Sequence, residues 1–331
     1  MELLVINAAE VRQLLPMAAC MDAMETALKQ LGRGEAQNPL RSANWLADNR
    51  GILLAMPALT EEAMAIKVIT VMPGNHGTPY DSHMGAVILF DSQYGRPLAL
   101  MDATEITAIR TAAVSGVATR ALAREDAGDL AILGTGVQAR SHLQAMLEAR
   151  PLRRVRVWSR GEAHRAAYVQ WASDELDVEV ESAGSAESAV KGADLICTTT
   201  AATEPVLRGV WLSPGAHINA VGASTATTRE LDSQAMAMVS HFVDRRESAL
   251  DESGDYLIPL KEGAIGDDHI RAELGEVLLG RAPGRSNDDE ITLFNSLGLA
   301  VEDLASAQLI YREARRRGQG TNVEFGESAE E

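Results

Sequence analysis

The chain has 331 residues, which is more than one ordinary hydrophobic core accommodates and predicts two domains. It carries 47 acidic and 30 basic residues, for a formal net charge of −17, and this argues against binding to nucleic acid or to an anionic membrane surface. No apolar run is long enough to cross a bilayer, and the first residues lack the basic segment of a signal peptide. We therefore expect a cytoplasmic protein.

Only two cysteines are present, Cys20 and Cys197, and both lie in apolar surroundings. We expect two buried thiols in a reducing compartment. The seven histidines show no paired spacing of metal ligands, so no metal site is predicted. The acidic segment 324–331 is expected to be a solvated, disordered end.

Helical periodicity comes first along the chain, over residues 8–34, and extended segments follow at 41–46, 51–57, 63–72 and 85–91. The turn residues between them indicate a mostly antiparallel sheet backed by helices.

Three cations stand out in this half of the chain: Arg41, Lys67 within an apolar strand, and Arg110 at a helical run. From the pattern alone, the default expectation for each is a solvent-facing side chain.

Residues 129–142 predict a buried strand, a tight glycine turn and the start of a helix near Val137. Gly134 permits the turn, Gly136 lets a diphosphate approach the backbone, and Ala139 allows close helix–strand packing. The free N–H groups of the helix would bind the diphosphate. A structural turn without a ligand is the alternative interpretation of this short motif.

A second strand is predicted at 155–158, and Ser159 and Arg160 follow it where NAD-binding proteins usually place a carboxylate. A hydroxyl and a guanidinium would bind a 2′-phosphate, so the sequence predicts NADPH, with NADH as the alternative cofactor. The competing interpretation is that Arg160 is only a surface residue.

Strands and helices alternate from residue 129 to 248, with further strands predicted at 178–181, 195–199, 216–220 and 238–244 and a helix at 184–192. This alternation indicates a parallel sheet with helices on both faces. Thr200 lies at the carboxyl end of a strand, the edge where cofactors bind. An acidic linker is expected after residue 248, then a helix at 273–279. A last helix at 300–317 is expected to pack on the first domain.

Several blocks of the chain resemble the ornithine cyclodeaminase/mu-crystallin family, and they occur in the family's order: RTAAVSGVATRAL, ILGTGVQARSH, ATEPVL, PGAHINAVGAS, RELD, ESGD, AELGEVLLG and SLGLAVED. The resemblance implies an α/β fold in which a Rossmann dinucleotide-binding domain, residues 121–296, is inserted in an α+β substrate-binding and dimerisation domain, residues 1–120 plus 297–331. It also implies a homodimer.

The resemblance changes the interpretation of the three cations. Arg41 and Lys67 match the pair that binds the substrate carboxylate, and Arg110 matches a residue beside substrate and cofactor. The remaining cofactor contacts predicted in this way are Thr111, Gly134, Thr135, Gly136, Val137, Gln138, Ala139, Ser159, Arg160, Thr200, Val221, Ser224 and Ser296, the last in a closing loop with Leu297.

One position separates the branches of the family. Ornithine cyclodeaminases carry an aspartate base where this chain has Ser224, and a serine of ordinary pKa cannot deprotonate an ammonium group at neutral pH. Cyclodeamination is therefore disfavoured, unless Glu230 or Asp232 substitutes as the base.

The resulting hypothesis is NADPH-dependent reduction of a ketimine that carries an adjacent carboxylate, of the 1-piperideine-2-carboxylate or 1-pyrroline-2-carboxylate type. Lys67, desolvated and near other cations, is the first candidate for the proton donor, and His83 is the second. We expect the substrate site to contain no carboxylate that could extract a proton.

Two alternatives remain open. The first is an amino-acid or opine-like dehydrogenase that forms its imine from a 2-oxo acid and an amine. The second is a protein that binds NADPH or another ligand without catalysis.

Overall fold

The computed structural model describes residues 1–75 and 77–326. The chain divides into two compact units, Met1–Arg110 with Leu299–Glu331 and Thr111–Gly298. We predicted the first boundary at residue 120 and the second at 296. The first boundary differs because one helix, Ala103–Leu122, begins in the first unit and ends in the second.

The strands of the described chain are β1 (Glu2–Ile6), β2 (Ala36–Gln37), β3 (Ser42–Trp45), β4 (Ile52–Thr60), β5 (Ala63–Val71), β6 (His83–Asp91), β7 (Pro97–Asp102), β8 (Asp129–Leu133), β9 (Arg154–Trp158), β10 (Glu181–Ser182), β11 (Leu195–Thr198), β12 (His217–Ala220), β13 (Ser240–Val243), β14 (Ile270–Glu273), β15 (Thr292–Asn295) and β16 (Thr321–Glu324). The α-helices are α1 (Ala8–Leu14), α2 (Met17–Arg33), α3 (Ala103–Leu122), α4 (Val137–Ala149), α5 (Glu162–Leu176), α6 (Ala186–Val190), α7 (Ser233–Met238), α8 (Arg246–Glu252), α9 (Gly254–Lys261), α10 (Leu274–Leu278) and α11 (Ala300–Arg317).

The first unit is built on one sheet with the strand order β16-β1-β7-β6-β5-β4-β2, and β3 pairs with β4. Neighbours from β4 to β7 are antiparallel, as predicted, whereas β1 and β7 are parallel. Helix α11 packs on β4, β5 and β6 and also contacts α2. The expectation that the last helix joins the first unit is therefore confirmed.

The second unit contains an eight-stranded sheet of order β10-β9-β8-β11-β12-β15-β13-β14, in which every pairing is parallel. Its central strands β8, β11, β12, β15 and β13 are buried along almost their whole length, because helices cover a parallel sheet on both faces. The Rossmann fold predicted for this part of the chain is confirmed. All carboxyl ends of these strands meet at one edge, where ligands bind in such folds.

Three local predictions were wrong. The expected acidic linker after residue 248 is helix α9, preceded by α8, and Asp255 of α9 is completely buried. The strand predicted at 178–181 shrinks to β10, because Asp177 ends α5 in the left-handed conformation and the chain needs several residues to reach the sheet. The predicted strand 238–244 begins at Ser240, since Met238 still belongs to α7.

Both cysteines are buried free thiols, as predicted, and burial raises the pKa of each to about 12. The acidic segment is described only in part: Glu324 ends β16, and residues 327–331 lie outside the described residues. Within the part of the chain that the structure describes, none of the helices has the length and apolar character that crossing a bilayer requires.

Candidate active site

Lys67 lies at the centre of β5, where it pairs with Met56 of β4 and Val87 of β6. It shares the buried face of the strand with Ala65 and Ile69, and its side chain is only 1% exposed. The solvent-facing position expected from the pattern alone is therefore wrong. Both faces of this strand carry apolar residues, so alternation along the sequence could not show which face the lysine occupies.

A buried carboxylate from the last helix pairs with Lys67. Asp303, in the first turn of α11, has its Oδ2 atom 2.7 Å from Lys67 Nζ. Its other oxygen, Oδ1, accepts a hydrogen bond of 3.1 Å from Arg110 Nε. Arg110 also donates from Nη1 to Glu302 Oε2 at 2.8 Å. We call Lys67, Arg110, Glu302 and Asp303 the charge cluster. All four are nearly excluded from solvent.

Two carboxylates thus lie at the site, where we expected none that could extract a proton; that expectation stays a prediction. Asp303 lies beside both Lys67 and Arg110, Glu302 lies beside Arg110, and the positive end of the α11 dipole stabilises the charge of both carboxylates. Each is already engaged in an ion pair within the cluster. They therefore act first as partners of Lys67 and Arg110.

The surroundings of Lys67 lower its pKa to about 8. Loss of hydration is the largest cause, and the charges of Arg110 and Arg41 act in the same direction, whereas Asp303 opposes the shift. A lysine with this pKa is protonated at neutral pH and releases its proton more readily than an ordinary lysine, as a general acid requires.

Arg41 and His83 lie on the same side of the sheet as the cluster. Arg41 is half-buried and directly precedes β3, and it is close enough to Lys67 to affect its pKa. His83 opens β6, and its pKa falls to about 4 because of burial and the charges of Lys67 and Arg110. His83 is therefore uncharged at neutral pH, which makes it a weaker candidate for the proton donor than Lys67.

Three cations, Arg41, Lys67 and Arg110, thus lie near one another in the first unit, together with the two carboxylates of the cluster. Guanidinium groups recognise a carboxylate ligand well, because their planar N–H donors match its two oxygens.

The second unit contains a cavity of about 560 Å³ at the carboxyl ends of β8, β9 and β11. Six of the predicted cofactor residues line it: Gly134, Thr135, Gly136, Ser159, Arg160 and Thr200. Thr135 and Ser159 are joined by a hydrogen bond between their hydroxyl groups of 3.3 Å. The structure thus brings together the glycine turn after β8 and the polar pair after β9.

The two positions of the turn require glycine for different physical reasons. Gly134 adopts a φ of +127°, and a Cβ atom there would lie 2.6 Å from Thr199 Oγ1. Gly136 has an ordinary extended backbone and precedes α4, and apart from its neighbours in the chain no protein atom lies within 4 Å of the place its Cβ would take. The first glycine is required by the fold, whereas the second leaves open space for a diphosphate at the helix N-terminus.

The remaining predicted cofactor residues do not line this cavity. Thr111 and Ala139 are buried in helices, and Val137 is 60% exposed in the first turn of α4. The other four occupy turns or helix starts near strand ends: Gln138 in α4, Val221 and Ser224 after β12, and Ser296 after β15. Their cofactor roles stay predictions.

The side chains considered as a substitute base are held in structural roles. Glu230 accepts hydrogen bonds from the backbone N–H groups of Thr200 and Gly222. Asp232 caps α7 by accepting from the N–H of Ala235. Neither carboxylate has the freedom of a base, and Ser224, exposed after β12, cannot supply one.

Sequence reasoning missed Glu302, Asp303 and His164. The first two lie in the block SLGLAVED, where adjacent acids at a helix start look like ordinary N-terminal charges. Only their packing on β5 places them beside Lys67. His164 lines the cavity with Arg160, and its position two residues into α5 gave no signal.

Comparison with known proteins extends these observations to the whole chain. Residues 1–318 match the model of the ornithine cyclodeaminase/mu-crystallin family. A Delta(1)-pyrroline-2-carboxylate reductase of Bacillus cereus is 39% identical over 326 residues, which cover 98% of this chain and 100% of the relative. The ketimine reductase mu-crystallin of Mus musculus is 43% identical over 293 residues, which cover 87% of this chain and 90% of the relative.

Among solved structures, the Delta(1)-pyrroline-2-carboxylate reductase of Thermococcus litoralis, in complex with NADH and L-proline, superimposes with a TM-score of 0.94 at 40% identity. The match covers 97% of this chain and 100% of that chain. Sequence blocks, fold and length thus agree across both units, and the chain belongs to the ornithine cyclodeaminase/mu-crystallin family.

Proposed function

We propose that this protein reduces cyclic ketimines that carry a carboxylate next to the imine carbon, with NADPH as the reductant. Substrates of this class are 1-pyrroline-2-carboxylate and 1-piperideine-2-carboxylate, and the products are the cyclic amino acids proline and pipecolate. The observation that carries the proposal is the buried Lys67–Asp303 pair beside Arg110, which places a lysine of lowered pKa next to a guanidinium group. The reductases named among the relatives support it.

Arg41 and Arg110 bind the substrate carboxylate in this proposal. Asp303 and Glu302 hold the Arg110 guanidinium in a fixed orientation, so little freedom is lost when the substrate binds. Fixing the carboxylate also fixes the imine carbon and nitrogen, since all three belong to one small rigid ring. Much of the rate enhancement then comes from orientation.

Lys67 donates the proton. The imine nitrogen must become protonated because an iminium accepts hydride more readily than a neutral imine. NADPH held in the cavity lined by Gly136, Ser159 and Arg160 would supply the hydride that the imine carbon accepts. Lys67 Nζ gives its proton to the nitrogen, so that the C=N double bond becomes a C–N single bond with a new N–H bond on the nitrogen and a new C–H bond on the carbon. Asp303 keeps the ammonium group of Lys67 in place.

NADPH fits the cavity of the second unit. The open space at Gly136 accommodates a diphosphate, and Ser159 and Arg160 offer a hydroxyl and a positive charge to a 2′-phosphate. His164 adds a further polar group to the same wall. NADH stays the alternative, because the Thermococcus relative was solved with it.

A substrate panel tests the proposed reaction. We expect the purified protein to oxidise NADPH, and NADH more slowly, when a five- or six-membered ketimine carboxylate is added. The matched control is the corresponding cyclic imine without the carboxylate, which should react poorly because it lacks the group that Arg41 and Arg110 are proposed to bind. Equal rates with and without the carboxylate would contradict the proposed role of Arg41 and Arg110.

The second candidate reaction is the formation of amino acids or N-alkyl amino acids from a 2-oxo acid and an amine. It is favoured by the same observation, since the imine formed from such a pair also carries a carboxylate beside the imine carbon. NADPH oxidation with pyruvate plus ammonia or methylamine, compared with preformed ketimine, distinguishes the two. Ammonia release from ornithine without net NADPH consumption would instead indicate cyclodeamination.

We also propose a homodimer. Around β3 and β4, at the edge of the first unit's sheet, four large apolar side chains are more than 40% exposed: Leu40, Trp45, Leu46 and Leu53. Large apolar side chains exposed along a sheet edge often mark an interface. The mass measured by sedimentation equilibrium tests this, and a monomer at micromolar concentration would contradict it.

The proposed location is the cytoplasm. Cys20 and Cys197 support it, because both are buried, unoxidised thiols in different units, as is usual in reducing compartments. Subcellular fractionation of the source organism tests this, and recovery outside the cytoplasmic fraction would contradict it.

A further inference from the structure

Glu230 joins the ends of two neighbouring strands in the second unit. It is completely buried. Its Oε1 atom accepts two hydrogen bonds from Thr200, which follows β11: one from the backbone N–H and one from the hydroxyl, each 2.6 Å long. Its Oε2 atom accepts the N–H of Gly222, which follows β12, at 2.7 Å. One carboxylate therefore fixes the positions at which the chain leaves both strands.

The main chain of Glu230 fixes the same segment a second time. Its carbonyl oxygen accepts the N–H groups of Val206 and Leu207 at 2.8 and 2.9 Å. Residues 200 to 206 line the cavity assigned to the cofactor. This wall is thus attached to one residue at both of its ends.

Glu230 is itself held in place. Its N–H and that of Leu231 both donate to Oδ1 of the buried Asp255, at 2.8 and 2.9 Å. A Cβ atom at Gly222 would lie 2.1 Å from the carbonyl oxygen of Thr200 and 2.7 Å from Cδ of Glu230. The carboxylate therefore occupies a space that exists only because residue 222 is glycine.

Burying a carboxylate is unfavourable unless strong hydrogen bonds compensate, and Glu230 receives three. A neutral side chain could connect two loops without this cost. A carboxylate that accepts three charge-assisted hydrogen bonds, however, holds its three donors in more strictly defined orientations. Two of these hydrogen bonds hold Thr200 in the wall of the cavity, so loss of the carboxylate should weaken ligand binding there.

We propose that Glu230 is a positioning residue for the cofactor: it holds the wall formed by residues 200–206 in the shape that binds NADPH. The inference rests on the proposed function in one respect, namely that this cavity binds NADPH. Asp255 supports the role by orienting the main chain of Glu230.

Direct titration of the full-length protein with NADPH, followed by nucleotide fluorescence, tests this role. In Glu230→Gln an amide NH₂ faces an N–H donor, either of Gly222 or of Thr200, because glutamine has only one acceptor atom. We expect NADPH to bind about tenfold more weakly, which is the change produced by ~1.4 kcal/mol.

Asp194→Asn is the matched control. Asp194 also belongs to the second unit and also accepts two backbone N–H groups, those of Gly128 and Asp129, but these lie at the amino end of β8. We expect this variant to lower the melting temperature while leaving NADPH affinity within about twofold of the unchanged protein. Equal weakening by both substitutions would show a general loss of stability and overturn the proposal.

Variants of Thr200 keep the test decisive if Glu230→Gln does not fold. Thr200→Val removes the hydroxyl that Glu230 accepts, and Thr200→Ser retains it. We expect the serine variant to recover most of the affinity that the valine variant loses, and we expect the losses from Glu230→Gln and Thr200→Val to be non-additive. Equal affinities of the serine and valine variants would overturn the proposal, as would unchanged affinity in Glu230→Gln. Failure of the unchanged protein to bind NADPH would instead overturn the proposed function.

Discussion

The charge cluster of the first unit and the cavity wall of the second unit both depend on buried carboxylates, but they use them differently. Asp303 and Glu302 pair with charged side chains, Lys67 and Arg110. Glu230 accepts mainly backbone N–H groups. A carboxylate beside a lysine changes how readily that lysine releases its proton, whereas a carboxylate bound to the backbone changes where the chain lies.

This difference predicts separate consequences for substitution. Changes in the charge cluster should alter chemistry and its pH dependence with little effect on cofactor affinity. Changes in the cavity wall should alter cofactor affinity and leave the pH dependence unaffected. Three further predictions test the distinction.

The largest effect is expected from Lys67→Met, which removes the proposed proton donor and keeps most of the volume of the side chain. Loss of a general acid predicts a kcat/KM for ketimine reduction about 10³-fold lower. NADPH affinity, measured by titration, should change little. Ketimine reduction at a near-normal rate would show that Lys67 is not the donor.

The next largest effect is expected from Asp303→Asn. Asp303 raises the pKa of Lys67 against the effect of burial, so its removal lowers that pKa below about 8. The lysine then loses its proton at lower pH, and activity should begin to fall at lower pH than in the unchanged protein. A fall of about one pKa unit lowers the protonated fraction of Lys67 at pH 8 roughly fivefold, so we expect roughly fivefold lower kcat/KM at that pH.

The control for this experiment is Glu302→Gln, since Glu302 pairs with Arg110 and not with Lys67. In the pH–rate profile of Glu302→Gln, the pH at which activity falls should shift less from that of the unchanged protein than it does in Asp303→Asn. A limb that moves equally in both variants, or toward higher pH in Asp303→Asn, would contradict the assignment.

The smallest effect is expected from Arg160→Ala, at a residue that lines the same cavity outside the segment 200–206. Arg160 is exposed, so its attraction to a 2′-phosphate is partly screened by water, and we expect about fivefold weaker NADPH binding. NADH affinity should stay unchanged, because NADH has no phosphate there. The pH–rate profile should also be unaffected. Equal losses for both nucleotides would indicate that Arg160 does not distinguish them.

Much of the second unit was predictable because its signals are local. An apolar strand, two glycines at fixed spacing and the start of a helix are adjacent along the chain, and the structure places them as expected at the cavity. Ser159 and Arg160 were identified in the same way, by their position after β9. The linker wrongly predicted at α8 and α9 shows where such local signals fail. Its acidic residues predicted exposure to solvent, but Asp255 is completely buried and accepts the backbone N–H of Leu231, a contact that the sequence does not reveal.

The sequence by itself determined the family, the parallel sheet and the glycine turn, because each is recognised from short blocks of neighbouring residues and their order along the chain. The tertiary structure alone decided how Lys67 is used. Its partner Asp303 is 236 positions away, and only the packing of α11 on β5 brings the two together. The cost of burying Lys67 and the strength of its ion pair depend on how close Asp303 lies in space. Residue types and short-range spacing in the sequence do not specify that distance.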